Sequence, residues 1–384
     1  MSLAITNALS AAVRAALQAQ APGHHFAVAL ERPAQRENGD WSTNAALANA
    51  KALGRKPRDI AAEMVTWLNE HVPAHVTRID VAGPGFVNFH LADSWLHDVL
   101  RTVVVDGVEH YGAETANSQR SINLEYVSAN PTGPLHAGHA RWAAYGDALA
   151  RVLARAGHLV HREFYVNDRG VQMRLFGDSL AARKHGTALP EGGYAGQYIR
   201  DWAAEMPDDV DPVEWGERKA HAYQRDTLAR MNVEFDTWTS EKSIAASGAV
   251  ERTLEELKAA GFTYESEGAL WLRTTDHGDD KDRVLIKSDG DYTYFTPDIA
   301  YHCDKYERGD LLIDTLGADH DGYVGRMKAA MQCLGKSPAD IEIIIGQNCV
   351  LLRDGVEVKL SKRTGDIIEL AEIIDEIGDR KSVV

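Results

Sequence analysis

At 384 residues with 44% apolar side chains, the chain is long enough to fill the cores of two or three domains. A mean hydropathy of −0.32 and the lack of any long uncharged apolar run exclude a membrane-spanning helix, so no membrane partner is expected. The formal net charge of −16 counts only mildly against a nucleic-acid partner, because phosphates need a local basic stripe rather than a basic total.

The start, MSLAITNALSAAVRAALQAQ, reads as an alanine-rich amphipathic helix without the basic head and apolar stretch of a secretory signal. A Pro22-Gly23 break and a short apolar run, Phe26 to Leu30, come next. GDWSTNAALANAKALG and KPRDIAAEMVTWLNEH both carry apolar residues at helical spacing, with Gly54-Arg55-Lys56-Pro57 as punctuation between them. VTRIDVAGPGFVNFHL alternates as two strands around Gly83-Pro84-Gly85. A helix from Ala92 to about Val105 runs into a polar linker, Gly112 to Arg120. Residues 1–112 are therefore expected to form a small α+β domain.

From Ser121 the pattern becomes strand, glycine-rich turn, helix. Ile122, Leu124 and Tyr126 alternate with Asn123 and Glu125, SANPTGP follows, and a helix runs from about Leu135 to Arg155, stopped by Gly157. HREFYVND is a second strand-like run. This alternation predicts an α/β domain with a Rossmann-like, doubly wound parallel sheet over 118–378, where ligands sit beyond the carboxyl ends of strands. Residues from about 180 to 260 are polar, acidic and helical and read as an insertion, with EMPDDVDP as a loop. Strand signals return in GALWLRT, DRVLIKS, YTYFT, LLIDTLGADH and IEIIIGQNCVLL. A last helix, DIIELAEIIDEIG, and a tail, 379–384, close the chain. Cys303, Cys333 and Cys349 are scattered and odd in number, so they support neither a disulfide framework nor a zinc site; a reducing cytoplasm is expected.

His136-Ala137-Gly138-His139 opens the helix after the glycine-rich turn. The two histidines share one helix face, a turn apart, in the first turn, where free N–H groups and the helix dipole favour anions. Two imidazoles there can donate to phosphate oxygens, while Gly138 lets a ligand approach the backbone. Pro131, Gly133 and Pro134 tighten the loop before them. A histidine pair at this spacing can also be a metal pair, but zinc would need a further ligand, and no clean one lies nearby, so no metal site is assigned. Lys359-Leu360-Ser361-Lys362-Arg363-Thr364-Gly365 sits between a hairpin-like LLRDGVEV and the last helix. Lys359 and Lys362 on such a loop can swing onto a triphosphate and offset the charge developing on departing pyrophosphate. Read alone, the same loop would be a solvated basic surface.

HAGH and KLSKR, with a Rossmann-like pattern between, resemble the HIGH and KMSKR motifs of class I aminoacyl-tRNA synthetases. Ala137 replaces the usual Ile and Leu360 the usual Met, and neither replaced side chain carries phosphate chemistry. NLEYVSANPTGPLHAGH, FYVNDRGVQM, DGDYTYFTPDIAYHCDKY and LGADHDGYVGRMKAAM are similar to stretches of arginyl-tRNA synthetases. GDWSTNAALANAKALGRKPRDIA and VAGPGFVNFHL look like that family's extra N-terminal domain. The resemblance runs from about residue 30 to about 378. Independently, a planar guanidinium is best held by carboxylates in forked geometry; Glu125 ends a strand five residues before Asn130, Asp298 follows Tyr294 by one helical turn, and the resemblance implies that both contact the guanidinium.

The resemblance implies an ATP- and Mg²⁺-dependent activation of L-arginine to arginyl-adenylate, followed by transfer to the terminal ribose of tRNA(Arg). It assigns His136, His139, Lys359 and Lys362 to the triphosphate, with Pro131, Thr132, Gly133, Gly138 and Ser361 completing the ATP site. Asn130, Tyr294, Asp319 and His320 join Glu125 and Asp298 at arginine. The N-terminal domain would touch the outer corner of tRNA, and a cytoplasmic monomer is expected. The family continues into a helical anticodon-binding domain, whereas this sequence stops at DEIGDRKSVV, so a fragment or truncated form with impaired tRNA recognition is expected. The rival readings are a synthetase for another amino acid, a paralogue that transfers nucleotidyl groups elsewhere, and a catalytically dead tRNA-binding module.

Overall fold

The computed structural model describes residues 2–347 except 108, 109, 114, 115 and 117, together with 351–353, 356–358 and 368–377. The chain falls into two compact units, residues 1–113 and 114–384.

In the first unit, α1 (Ser2–Gln20) precedes β1 (Trp41–Thr43), α2 (Ala45–Leu53), α3 (Pro57–Glu70), β2 (Val76–Ala82), β3 (Phe86–Leu91) and α4 (Ser94–Asp106). The strands form an antiparallel sheet in the order β1-β3-β2. Leu9, Val13, Ala16 and Leu17 of α1 fall on one face and bury against Ile60, Met64 and Leu68 of α3 and against Val87 and Phe89. Gly54 ends α2 in the left-handed conformation, and Pro57 opens α3, where its missing N–H costs nothing. Trp41–Thr43, which helical spacing assigned to a helix, is instead strand β1. It pairs with β3, and the Ser42 hydroxyl donates to Asn88 Oδ1 across that pair at 2.7 Å in the buried interior. Long-range pairing overrides the local period here.

In the second unit, β4 (Ser121–Glu125), α5 (Ala137–Arg155) and β5 (Leu159–Val166) lead into α6 (Val171–His185), α7 (Gln197–Glu205) and α8 (Pro212–Arg230). Then come β6 (Thr237–Ser240), α9 (Glu241–Ala246), α10 (Ala249–Ala259), β7 (Thr263–Ser266), β8 (Ala269–Leu272) and β9 (Arg283–Ile286). The chain continues through α11 (Phe295–Lys305), β10 (Leu311–Gly317), α12 (Asp321–Cys333), β11 (Ile341–Gly346), the hairpin β12 (Leu351–Arg353) and β13 (Val356–Val358), and α13 (Leu370–Ile377). The central sheet is wholly parallel, in the order β11-β10-β4-β5-β6. The first strand, β4, is central, and the order reverses between β4 and β10. That is the switch point of a doubly wound sheet, where a crevice opens at the carboxyl ends.

Two expectations change. The stretch 180–260 is not all inserted material, because β6 closes the edge of the central sheet; α6, α7 and α8 stand between β5 and β6 around their own core of Phe176, Leu180, Tyr198 and Trp202. YTYFT is not a strand. Thr293 and Thr296 turn their hydroxyls onto the carbonyls of Val284 and Leu285, and this turn starts α11, with Pro297 in its first turn. No helix among the described residues is long and apolar enough to cross a membrane.

Candidate active site

Glu125 is the last residue of β4, at the switch point. Beyond buried Tyr126 the backbone enters the left-handed region twice, at Val127 (φ 69°) and Ser128 (φ 43°). A β-branched residue there is strained by about 1–3 kcal/mol and persists only where its surroundings enforce it. The enforcement is visible: the Ser128 N–H donates to Tyr126 O at 3.0 Å, its hydroxyl donates to Glu125 Oε1 at 2.8 Å, and its oxygen accepts from the Tyr165 N–H at 3.1 Å. The strained turn thus folds Ser128 back onto the carboxylate.

The loop that follows is clamped from α7 and α8. Gln224 Nε2 donates to the carbonyls of Asn130 and Gly133 at 3.0 and 2.9 Å, and the Tyr198 hydroxyl donates to Thr132 O at 2.9 Å. Gly133 has φ 146° and lies so near the Tyr198 ring that a Cβ would come within 2.7 Å of it. Only glycine fits. The loop delivers His136 as the N-cap of α5, where the two imidazoles form a reciprocal cap. The Gly138 N–H donates to His136 Nδ1 at 3.1 Å and the His136 N–H to His139 Nδ1 at 3.0 Å, with ring centroids 3.9 Å apart. A nitrogen that accepts carries no hydrogen, so each ring hydrogen sits on Nε2. The cap therefore fixes the tautomer that turns both histidines into donors at a helix N-terminus. Ile368 and Leu370 pair with Ala137 and Leu135 through backbone hydrogen bonds of 3.2 and 2.8 Å, tying this N-terminus to the segment just beyond KLSKRTG.

α11 presents a face of ionisable side chains to the central sheet. Asp298, Tyr301, His302 and Lys305 recur at helical spacing. Asp298 is partly buried, and the Tyr323 hydroxyl hydrogen-bonds it. Burial, reinforced by the charges of Glu241 and Glu125 and opposed by His302, pushes its carboxyl up to about 6. Glu241 opens α9; burial raises it too, opposed by the Arg169 charge and reinforced by Asp168, and the Tyr165 hydroxyl hydrogen-bonds it. The Tyr165 and Tyr301 rings meet at a tilt of 40°, with centroids 4.5 Å apart. The charges of Glu241 and Glu125 thus both act on Asp298, and all three act on the Tyr165 hydroxyl, so the three carboxylates form one cluster. A cation with several N–H donors is the ligand such a cluster suits.

A family model described as the arginyl tRNA synthetase N terminal domain matches residues 4–91. One described as tRNA synthetases class I (R), catalytic domain, matches 100–191 and 198–384. The chain belongs to the arginyl-tRNA synthetases. An arginine–tRNA ligase of Staphylococcus epidermidis is 44% identical over 371 residues, covering 91% of this chain and 67% of the relative, and one of Staphylococcus aureus matches to the same extent. Among solved structures, the Thermus thermophilus arginyl-tRNA synthetase superposes with a TM-score of 0.70 at 21% identity, over 96% of this chain and 69% of that one. The Plasmodium falciparum enzyme superposes at 0.67 and 14%, over 89% and 65%. These two share the fold. The activity is that of an arginine–tRNA ligase, a class I aminoacyl-tRNA synthetase, with arginine and tRNA as substrates and ATP consumed.

The synthetase brings some of the expected residues together and not others. Glu125 and Asp298 come near enough for the charge of one to act on the other, and His136, Gly138 and His139 form the cap. Pro131, Thr132 and Gly133 are buried beneath α7 and α8, where they hold the loop. The Asn130 side chain donates to Gln172 Oε1 at 2.8 Å. Tyr294, the N-cap of α11, is 94% exposed and stands outside the acidic cluster. His320 is exposed at the start of α12, next to Asp319 in the turn after β10. Lys359, Ser361 and Lys362 lie outside the described residues. Glu241, Tyr165 and Tyr323 carry no signal in the sequence, since nothing in a lone Glu after a serine cap marks it as a neighbour of Asp298.

Proposed function

We propose that arginine binds with its guanidinium among Glu125, Asp298 and Glu241 and its carboxylate toward the His136–His139 cap. The convergence of Glu125 and Asp298 at the switch point, beside a helix N-terminus furnished with two imidazole donors, carries this reading. The guanidinium offsets the crowding of carboxylates that burial alone makes costly. With the α-carboxylate held against ATP, one of its oxygens attacks the α-phosphorus. A carboxylate–phosphorus bond forms, the bond from that phosphorus to the bridging oxygen breaks, and pyrophosphate leaves with the electron pair. His136 and His139 donate through Nε2 to phosphate oxygens, and Lys359 and Lys362 offset the charge on pyrophosphate; no protein nucleophile is needed. Ile368, six residues after Lys362, bonds to Ala137, which supports a shared phosphate site. A terminal ribose hydroxyl of tRNA then attacks the arginyl carbonyl and AMP departs.

Mg²⁺ is proposed as the counter-ion that ATP brings to the site. We further infer that the first unit contacts tRNA, and that the enzyme works as a cytoplasmic monomer. ATP–pyrophosphate exchange, with each amino acid and with or without tRNA, tests the assignment. Exchange should depend on arginine, and Glu125→Gln and Asp298→Asn should each raise the arginine KM by about 100-fold with the ATP KM unchanged. Unaltered arginine KM values in both variants would refute it.

A further inference from the structure

Three acids lie in one register row across the central sheet. Asp314 of β10 pairs with Glu125 of β4, and Glu125 pairs with Glu163 of β5. Neighbouring strands sit about 4.8 Å apart, and like charges directly opposite one another are destabilising. An apolar row would be cheaper to bury, so this one calls for a reason.

α11 and the residues just after it supply the compensation. Lys305, fully buried, places its ammonium between Glu125 Oε2 and Asp314 Oδ1, the latter at 2.5 Å, and over the Tyr301 ring at 4.6 Å. Tyr301 shares its hydroxyl hydrogen between Glu125 Oε2 at 2.9 Å and Glu163 Oε1 at 3.1 Å. Arg308 grips Glu163 with two parallel bonds of 2.9 and 2.8 Å, and His302 Nε2 meets Asp314 Oδ2 at 2.9 Å. Burial by itself would strip the charge from Lys305 and Asp314; their mutual attraction holds the ammonium protonated and the carboxyl ionised.

We propose that Lys305 is a positioning residue for arginine: by pinning Glu125 Oε2 it fixes that carboxylate and, in the same contact, the distance from β4 to the helix that bears Asp298. Oε2 is taken up by Lys305 and Tyr301, and Ser128 holds one side of Oε1, which leaves the outer side of Oε1 for an incoming N–H. Asp298 and Lys305 are seven residues apart on one helix face, so one ion pair sets the spacing of both guanidinium-binding acids. The inference rests on the proposed arginine site.

Lys305→Met alone would leave two buried carboxylates uncompensated, so the test uses Lys305→Met/Asp314→Asn, which removes one charge of each sign. The thermal midpoint of the full chain should fall but leave it folded at assay temperature, because buried Glu125 keeps its charge and loses its ammonium, and exchange kinetics then read the site. The arginine KM should rise tenfold or more, with the ATP KM and saturating kcat within about twofold. Adding Glu125→Gln to that pair should raise the arginine KM no further than Glu125→Gln does alone, because both act through one carboxylate. Lys305→Arg, which keeps the charge but replaces a point donor with a planar fork, should also raise the arginine KM selectively and gives the same reading if the double variant does not fold. An unchanged arginine KM in the double variant or in Lys305→Arg, or effects that multiply with Glu125→Gln, would overturn the proposal. If Glu125→Gln itself leaves the arginine KM unchanged, it is the arginine site that fails.

Discussion

Arginine binding should weaken about tenfold for each pH unit below 6, because the guanidinium needs Asp298 ionised and burial pushes that carboxyl up to about 6. Its ordinary value is 3.8, so the folded chain holds this proton more tightly than the unfolded chain does. Ionising Asp298 therefore costs stability. The cost is absent below pH 4 and grows as pH rises, to roughly 3 kcal/mol above pH 6, from a shift of about two units at 1.36 kcal/mol each. Bound arginine takes the place of the proton and removes most of that cost. The dissociation constant should be flat above pH 7 and about elevenfold weaker at pH 5. Calorimetric titration of arginine in buffers of different ionisation enthalpy should find about half a proton released at pH 6, with release fading above pH 7. Asp298→Asn should bind weakly at every pH and lose most of the slope, leaving only what Glu241 contributes, whose carboxyl burial also raises. A constant affinity from pH 5 to 8, or a variant with the full slope of the unaltered protein, would refute the role given to Asp298.

His136→Asn separates the two duties of the histidine cap. Asparagine is a good N-cap, so the melting temperature should hold, while loss of the Nε2 donor should lower kcat of pyrophosphate exchange about 10²- to 10³-fold; a kcat within threefold of normal would show that the cap is only structural. Tyr198→Phe removes the donor to the buried Thr132 carbonyl and should cost about 1–3 kcal/mol in urea unfolding. It should also raise the KM for ATP more than that for arginine, since the clamped loop ends at His136.

The strand, turn and helix that carry the first motif were legible because their signals are local. Alternation ends at Glu125, prolines and glycines mark the loop, and two histidines follow at helical spacing. The one-turn spacing of Tyr294 and Asp298 was equally local, yet spacing does not say which of the two faces inward, and only Asp298 does. Helical period also misread Trp41–Thr43, where pairing with Phe86–Leu91 decides, and it hid β6 inside a polar stretch. The family was thus written in short motifs, each contained within a few turns of chain. What only the tertiary structure decided is the acidic row and its lysine. Glu125, Glu163 and Asp314 become neighbours through parallel pairing of strands far apart in sequence, and Lys305 reaches them from a helix packed on that sheet. A buried charge has no signature in its own sequence neighbourhood, since its stability depends on counter-charges that only the folded sheet brings within reach.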